Sequence, residues 1–199
     1  AVFRNAVADL PLVRSLDDTR MVMLNSGSWA GAGRAAMAGL EVRRRAERTD
    51  PCVTRNGTTH VIQGLGITWQ PGQLALHPGE GGEYGTLRWI SPIDGEVEVE
   101  AVFSTIAERA TTDVHVLHAG EVVWDGLINV GPGGPRAEYR GTLSVRKGDF
   151  LDFPVGYGNG NYGADTTALA LTIRAGGKVF DAATDYVAEG EQTAPWDYG

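Results

Sequence analysis

The sequence predicts an all-β protein, an antiparallel β-sandwich of the jelly-roll kind with a short helical N-terminal segment. Three observations carry that prediction. Glycine supplies 28 of the 199 residues and proline 9; that is about twice the average glycine usage, and it implies many tight turns. From residue 50 onward, short apolar segments recur between turn signals at roughly the 8–12-residue spacing of sandwiches and barrels. Two segments alternate cleanly: Val97, Val99, Ala101 and Phe103 against Glu96, Glu98 and Glu100, and Val114 and Val116 against Asp113 and His115.

The elements follow in order. Residues 1–48 hold the helical signal, weak from Val7 to Arg14, where Pro11 breaks it. Met21–Leu24 is a short apolar run. Ala35–Arg48 is rich in helix formers, with Met37, Leu40 and Val42 on an apolar side. Its terminal arginines complement a helix dipole and are expected to be solvated. Residues 50–175 form the sandwich, with strands expected at Thr59–Ile62, Gly66–Trp69, Leu74–His77, Gly85–Trp89 and Gly95–Phe103. Further strands are expected at Asp113–His118, Glu121–Asn129, Arg136–Val145, Phe150–Val155 and Thr167–Ile173. The Glu96/Glu98/Glu100 stripe marks a solvated outer face. Residues 176–199 are a C-terminal strand and tail, with a strand at Lys178–Phe180 and an aromatic finish at Trp196 and Tyr198 that suggests docking.

Composition narrows the function. A formal charge of −8 argues against nucleic-acid binding, which needs basic surface. The single cysteine, Cys52, excludes an intrachain disulfide and any cysteine-based zinc site. No apolar run reaches the roughly 18–20 residues of a membrane span. The start lacks a signal-peptide plan and an initiator Met, so a processed chain or a fragment is expected.

The loop Gly156–Asp165 is the most informative stretch. Its glycines permit close backbone approach, and the stretch reads as a structural turn, as a structural calcium loop in which Asn159, Asn161 and Asp165 offer hard oxygen ligands, or as a direct ligand contact. Sugar recognition needs flat aromatic faces beside polar groups, which Trp124, Asp125, Tyr157 and Tyr162 supply; Trp89 is expected in the core. A glycosidase needs two carboxylates flanking a cleft. Asp17, Asp18 and Glu41 do not form such a pair, so no catalytic residue is assigned. His77 is expected to bond to its own turn, and Asp113 to nearby backbone N–H groups. Asn56-Gly57-Thr58 fits a glycosylation sequon.

The stretches PCVTRNGT, WQPGQLALHPGEGGEYGTLRWISPIDGEVEVEAVFS, ATTDVHVLHAGEVVWDGLIN and LSVRKGDFLDFPVGYGNGNYGADTTALALTI lie within residues 51–173. Together they resemble a β-sandwich module that recurs in secreted bacterial carbohydrate-active and surface-anchored proteins. That resemblance implies a jelly roll, a non-catalytic accessory role and an extracellular or cell-surface location. LPLVRSLDDTRMVMLNSGSW resembles the end of a (β/α)8 glycoside hydrolase barrel, with Asp18 where proline is usual. VFDAATDYVAEGEQTAPWDYG resembles the opening of the same sandwich module. Two functions follow: a glycan-binding accessory module for a neutral polysaccharide or oligosaccharide, or an assembly module that forms a homo-oligomer through its C-terminal strand.

Overall fold

The structure, a computed structural model, describes residues 21–24, 37–45, 50–129, 134–187 and 195–198. Among these there are fifteen strands and no α-helix. The first six are β1 (Met21–Leu24), β2 (Leu40–Arg45), β3 (Cys52–Asn56), β4 (Ile62–Gly64), β5 (Ile67–Trp69) and β6 (Leu74–His77). The next five are β7 (Gly85–Ile90), β8 (Gly95–Thr105), β9 (Thr111–His118), β10 (Glu121–Asn129) and β11 (Arg136–Val145). The last four are β12 (Phe150–Val155), β13 (Thr167–Ala175), β14 (Lys178–Asp181) and β15 (Trp196–Tyr198).

Two antiparallel sheets face each other. One has the order β1-β2-β3-β6-β13-β8-β11, with β14 also paired to β13; the other has the order β10-β9-β12-β7-β15. From β6 to β13 successive strands change sheet at every step except the β9–β10 hairpin. The alternation in β8 works as the sequence implies. Val97, Val99, Ala101 and Phe103 turn inward to meet Trp89, Val116, Leu151 and Phe153 in the main core. Each such large side chain, fully buried, contributes about 1.5–3 kcal/mol. A second apolar cluster joins Met37, Leu40, Val42, Cys52, Ala75 and Ala168 to Ile62, Ile67 and Trp69 of the small β4–β5 hairpin. The hairpin therefore caps the outer face of the first sheet.

The N-terminal segment departs from the helix expected over Ala35–Arg48. Leu40–Arg45 is a strand between β1 and β3, paired from Leu40↔Asn56 to Arg44↔Cys52. Tertiary pairing overrides helix propensity here. Leu40 and Val42 bury on one face, and Arg43 lies on the other at 3% exposure. Arg43 is thus not the solvated arginine the composition suggests. Its Nη2 donates to the Val187 carbonyl at 2.8 Å, and its guanidinium sits 5.7 Å from the Tyr186 and Tyr198 ring centres. Residues Val7 to Arg14, also expected to be helical, lie outside the described residues.

At the other terminus, β14 covers the expected strand. Trp196–Tyr198 pairs with this chain's own β7, from Trp196↔Trp89 to Tyr198↔Leu87. The Tyr198 hydroxyl donates to the Ala182 carbonyl at 2.7 Å, and Trp196 Nε1 donates to Asp185 at 2.9 Å. No helix among the described residues is long and apolar enough to cross a membrane.

Candidate functional site at the loop end of the sandwich

The end of β8, the start of β9, the end of β12 and the start of β13 gather at one end of the sandwich. The loop 156–166 and the turn 78–84 lie there. Asp113, pointing outward from β9, straps the loop down. Its carboxylate accepts from the Tyr84 hydroxyl, from His115 Nε2 at 2.8 Å and from the Gly158 N–H at 2.7 Å. Burial alone would raise its pKa, but the bonds from His115 and Tyr84 outweigh that and hold it below the usual carboxylate range. Tyr84 is pushed the other way, by burial and by the Asp113 charge.

The glycines are required by this close approach. A Cβ on Gly156 would stand 2.4 Å from Asp113 Oδ1. On Gly158, at φ +47, it would stand 2.5 Å from the Thr111 carbonyl. Tyr157 and Tyr162 are held half-buried on this base. The Tyr157 hydroxyl lies over Gly82, and Tyr162 meets His77 edge-on at 6.0 Å. His77 Nδ1 contacts the Pro78 carbonyl of its own turn at 2.7 Å.

Asn159 and Asn161 are exposed, and each side-chain carbonyl accepts a backbone N–H two residues on, from Asn161 at 2.8 Å and Gly163 at 2.9 Å. Asp165 is fully buried. Its Oδ1 accepts the Thr111 N–H at 2.7 Å, while Oδ2 has no partner among the described residues. Burial raises its pKa to about 6, with the nearby Asp113 charge adding to the effect and the Thr111 bonds opposing it. The three residues lie along one loop, Asn159 and Asn161 at its surface and Asp165 beneath it. Among the described residues no group of three or more His, Cys, Asp or Glu is placed to hold a metal ion.

The other expected contacts lie apart. Trp124, on β10, turns inward to stack on Phe103 at 6.1 Å and 15°, and it lies 6.0 Å from Tyr139. Asp125 turns outward and pairs in register with His115. Trp124 and Asp125 therefore present opposite faces of the sheet, Trp124 toward the core and Asp125 on the outer face with His115. Trp69 and Trp89 are core residues. Asn56 is 0% exposed and its amide bonds inward to the His60 and Trp69 carbonyls, so the sequon offers no free acceptor nitrogen. Glu41 pairs with Arg55 at 2.9 Å, while Asp17 and Asp18 lie outside the described residues.

A groove that no sequence motif marks runs between the β4–β5 hairpin and residues 105–108. It encloses about 630 Å³ and is lined by Gln63, Thr68, Gln70, Gln73, Thr105 and Glu108 among others. The hairpin leans on its far wall through an Ile67↔Ala107 bridge and a Thr68 N–H bond to the Ile106 carbonyl. Dispersed glutamines and threonines have no spacing rule. Only the fold brings them together.

No family model and no curated protein matches the chain. Among solved structures it is similar to a CBM51 from a Clostridium perfringens GH95, solved in complex with methyl-galactose. That pair is 12% identical over 75% of this chain and 76% of that one, with a TM-score of 0.29. It is also similar to part of a β-glucosidase from Kluyveromyces marxianus, 15% identical over 52% of this chain and 12% of that one, with a TM-score of 0.27. The same β-glucosidase in complex with glucose aligns at 15% identity over 53% of this chain and 11% of that one, with a TM-score of 0.27.

Proposed function

We propose that this chain is a non-catalytic, extracellular glycan-binding module that takes a neutral polysaccharide or oligosaccharide at the loop end of its sandwich. One observation carries the reading. Tyr157 and Tyr162 stand half-exposed on a loop fixed from below by Asp113 and Asp165, beside two exposed asparagines whose amide N–H groups make no hydrogen bond among the described residues. Aromatic faces next to polar donors, held in advance, suit the apolar ring faces and hydroxyl rims of sugars. The strand order, with β6-β13-β8-β11 facing β7-β12-β9-β10, is that of a jelly roll, a frame common among lectin domains. The acidic net charge favours a neutral ligand over a polyanion.

The assembly alternative needs the C-terminal strand to leave its own sheet and to bury Trp196 and Tyr198 against a second copy instead. Affinity electrophoresis in gels carrying galactan, glucan, xylan or mannan tests the proposal. The wild type is expected to be retarded by at least one polymer, and a Tyr157→Ala/Tyr162→Ala variant with unchanged Tm is expected to lose that retardation. Free migration of the wild type in every gel would sink the proposal.

A further inference from the structure

Leu65 is the most anomalous residue of the groove-forming hairpin. Gly64 pairs with Ile67, so Leu65 and Gly66 are the two central residues of the β4–β5 turn. Both have positive φ, +54 and +74. A two-residue hairpin turn with positive φ at both centres favours Asn-Gly, because asparagine tolerates the left-handed region and leucine does not. Leu65 is also 54% exposed and belongs to none of the apolar clusters. Its conformation and its exposure are both unfavourable, and nothing within the described fold compensates. A strained residue that gains nothing from its own fold points to a contact made outside it.

The groove beside it has complementary chemistry. The Gln70 side-chain amide and the Glu108 carboxylate make no hydrogen bond among the described residues. Among the described residues no lysine or arginine lines the groove, and Glu108 is its single charged side chain. An anionic ligand would find no counter-charge there. The volume falls in the roughly 300–1,000 Å³ range of small-molecule sites. A ligand that is uncharged, carries donors and acceptors in alternation, and has one apolar face matches both the amides and the leucine.

We infer that the β4–β5 hairpin is a sugar-binding arm for a neutral oligosaccharide, with Leu65 at its tip against the C–H face of one pyranose and Glu108 and Gln70, spaced along the groove, bonding hydroxyls of successive units. This rests on the glycan-binding reading and assigns a second contact surface to it. The test uses the full chain in the same galactan, glucan, xylan and mannan gels, with Leu65→Asn and Gln70→Ala/Glu108→Ala variants. Each variant is expected to lose at least tenfold in affinity for the polymer that retards the wild type. Leu65→Asn, which suits the turn, is expected to melt at a higher temperature than the wild type, so its loss of binding cannot be a loss of fold. If the wild type is retarded and both variants are retarded equally, the hairpin assignment is overturned while the loop reading stands. A lower Tm for Leu65→Asn would overturn it as well, since Leu65 would then serve the fold. A wild type that no polymer retards removes both readings together.

Discussion

Two regions at the same end of this sandwich bond most of their polar side chains internally and differ in what they leave for a ligand. In the loop 156–165, which carries the composition of a ligand site, most polar oxygens bond to the protein's own backbone. Asp113 holds Gly158, Asp165 holds Thr111, and Asn159 and Asn161 cap their own turns. In the groove under the β4–β5 hairpin, the side chains of Gln70 and Glu108 make no hydrogen bond among the described residues, and Leu65 is held in a conformation it disfavours. The loop's polarity builds a rigid platform, and what it offers a ligand is its two tyrosines. In the groove, Gln63 bonds Thr68, Gln73 accepts the Gln70 N–H and Thr105 bonds Ala107, so what it offers a ligand is the Gln70 amide and the Glu108 carboxylate. Residue type alone does not separate these cases, because buried polar groups are bonded as a rule and only geometry shows which ones have finished bonding.

The platform breaks most severely at Asp113. Asp113→Ala leaves the Tyr84 hydroxyl, His115 Nε2 and the Gly158 N–H without their shared acceptor. Each stranded buried group costs about 1–3 kcal/mol, so a total loss of about 3–5 kcal/mol is expected. It should appear as a lower urea midpoint, with faster hydrogen exchange at the Gly158 amide. An unchanged midpoint would mean that the loop stands without its strap.

Much of this fold is legible in the sequence where one physical signal dominates. The bounds of β6, β10, β11 and β12 coincide with the expected segments, because turn residues flank each one, and β10, β11 and β12 also carry β-branched and aromatic residues. The strand β2 is misread because Ala38, Leu40 and the arginines favour a helix locally, and only the ladder to β3 reverses that preference. β3 is missed because CVTRN is mixed in polarity, and its inward and outward faces both bury, one against each cluster. At the site, the bond of His77 to its own turn is readable, whereas Asp113, expected to bond nearby backbone N–H groups, accepts from the Tyr84 and His115 side chains and from the distant Gly158 N–H, partners that only the fold brings to it. The division of Trp124 from the tyrosines and the gathering of glutamines into a groove depend on sheet order, which local sequence does not encode.

Asp165 sharpens the comparison through pH. Its folded pKa, about 6, lies above the unfolded value of about 3.9, so folding favours the protonated form. The stability this gives is complete below about pH 4 and is lost as pH rises through about 6. A two-unit shift corresponds to roughly 3 kcal/mol. Asp165→Asn keeps the acceptor for the Thr111 N–H and removes the charge, so its Tm should exceed that of the wild type at about pH 8 and match it near pH 4, a gain of about 2–3 kcal/mol. Parallel Tm curves across that range would place the titration elsewhere.

The smallest effect is the most discriminating. Asn159→Ala and Asn161→Ala each remove one side-chain bond to a backbone N–H on an exposed loop, and a loss of about 0.5–1 kcal/mol is expected for each. If these bonds alone hold the loop, exchanging millimolar calcium chloride for EDTA should leave the wild-type Tm unchanged. If calcium instead raises the Tm and Asp165→Asn abolishes the rise, then the unpartnered Asp165 Oδ2 is a metal ligand. In that case the charge on Asp165 stabilises the fold, Asp165→Asn weakens it at neutral pH when calcium is present, and the loop becomes a site completed by an ion where the groove is a site completed by a sugar.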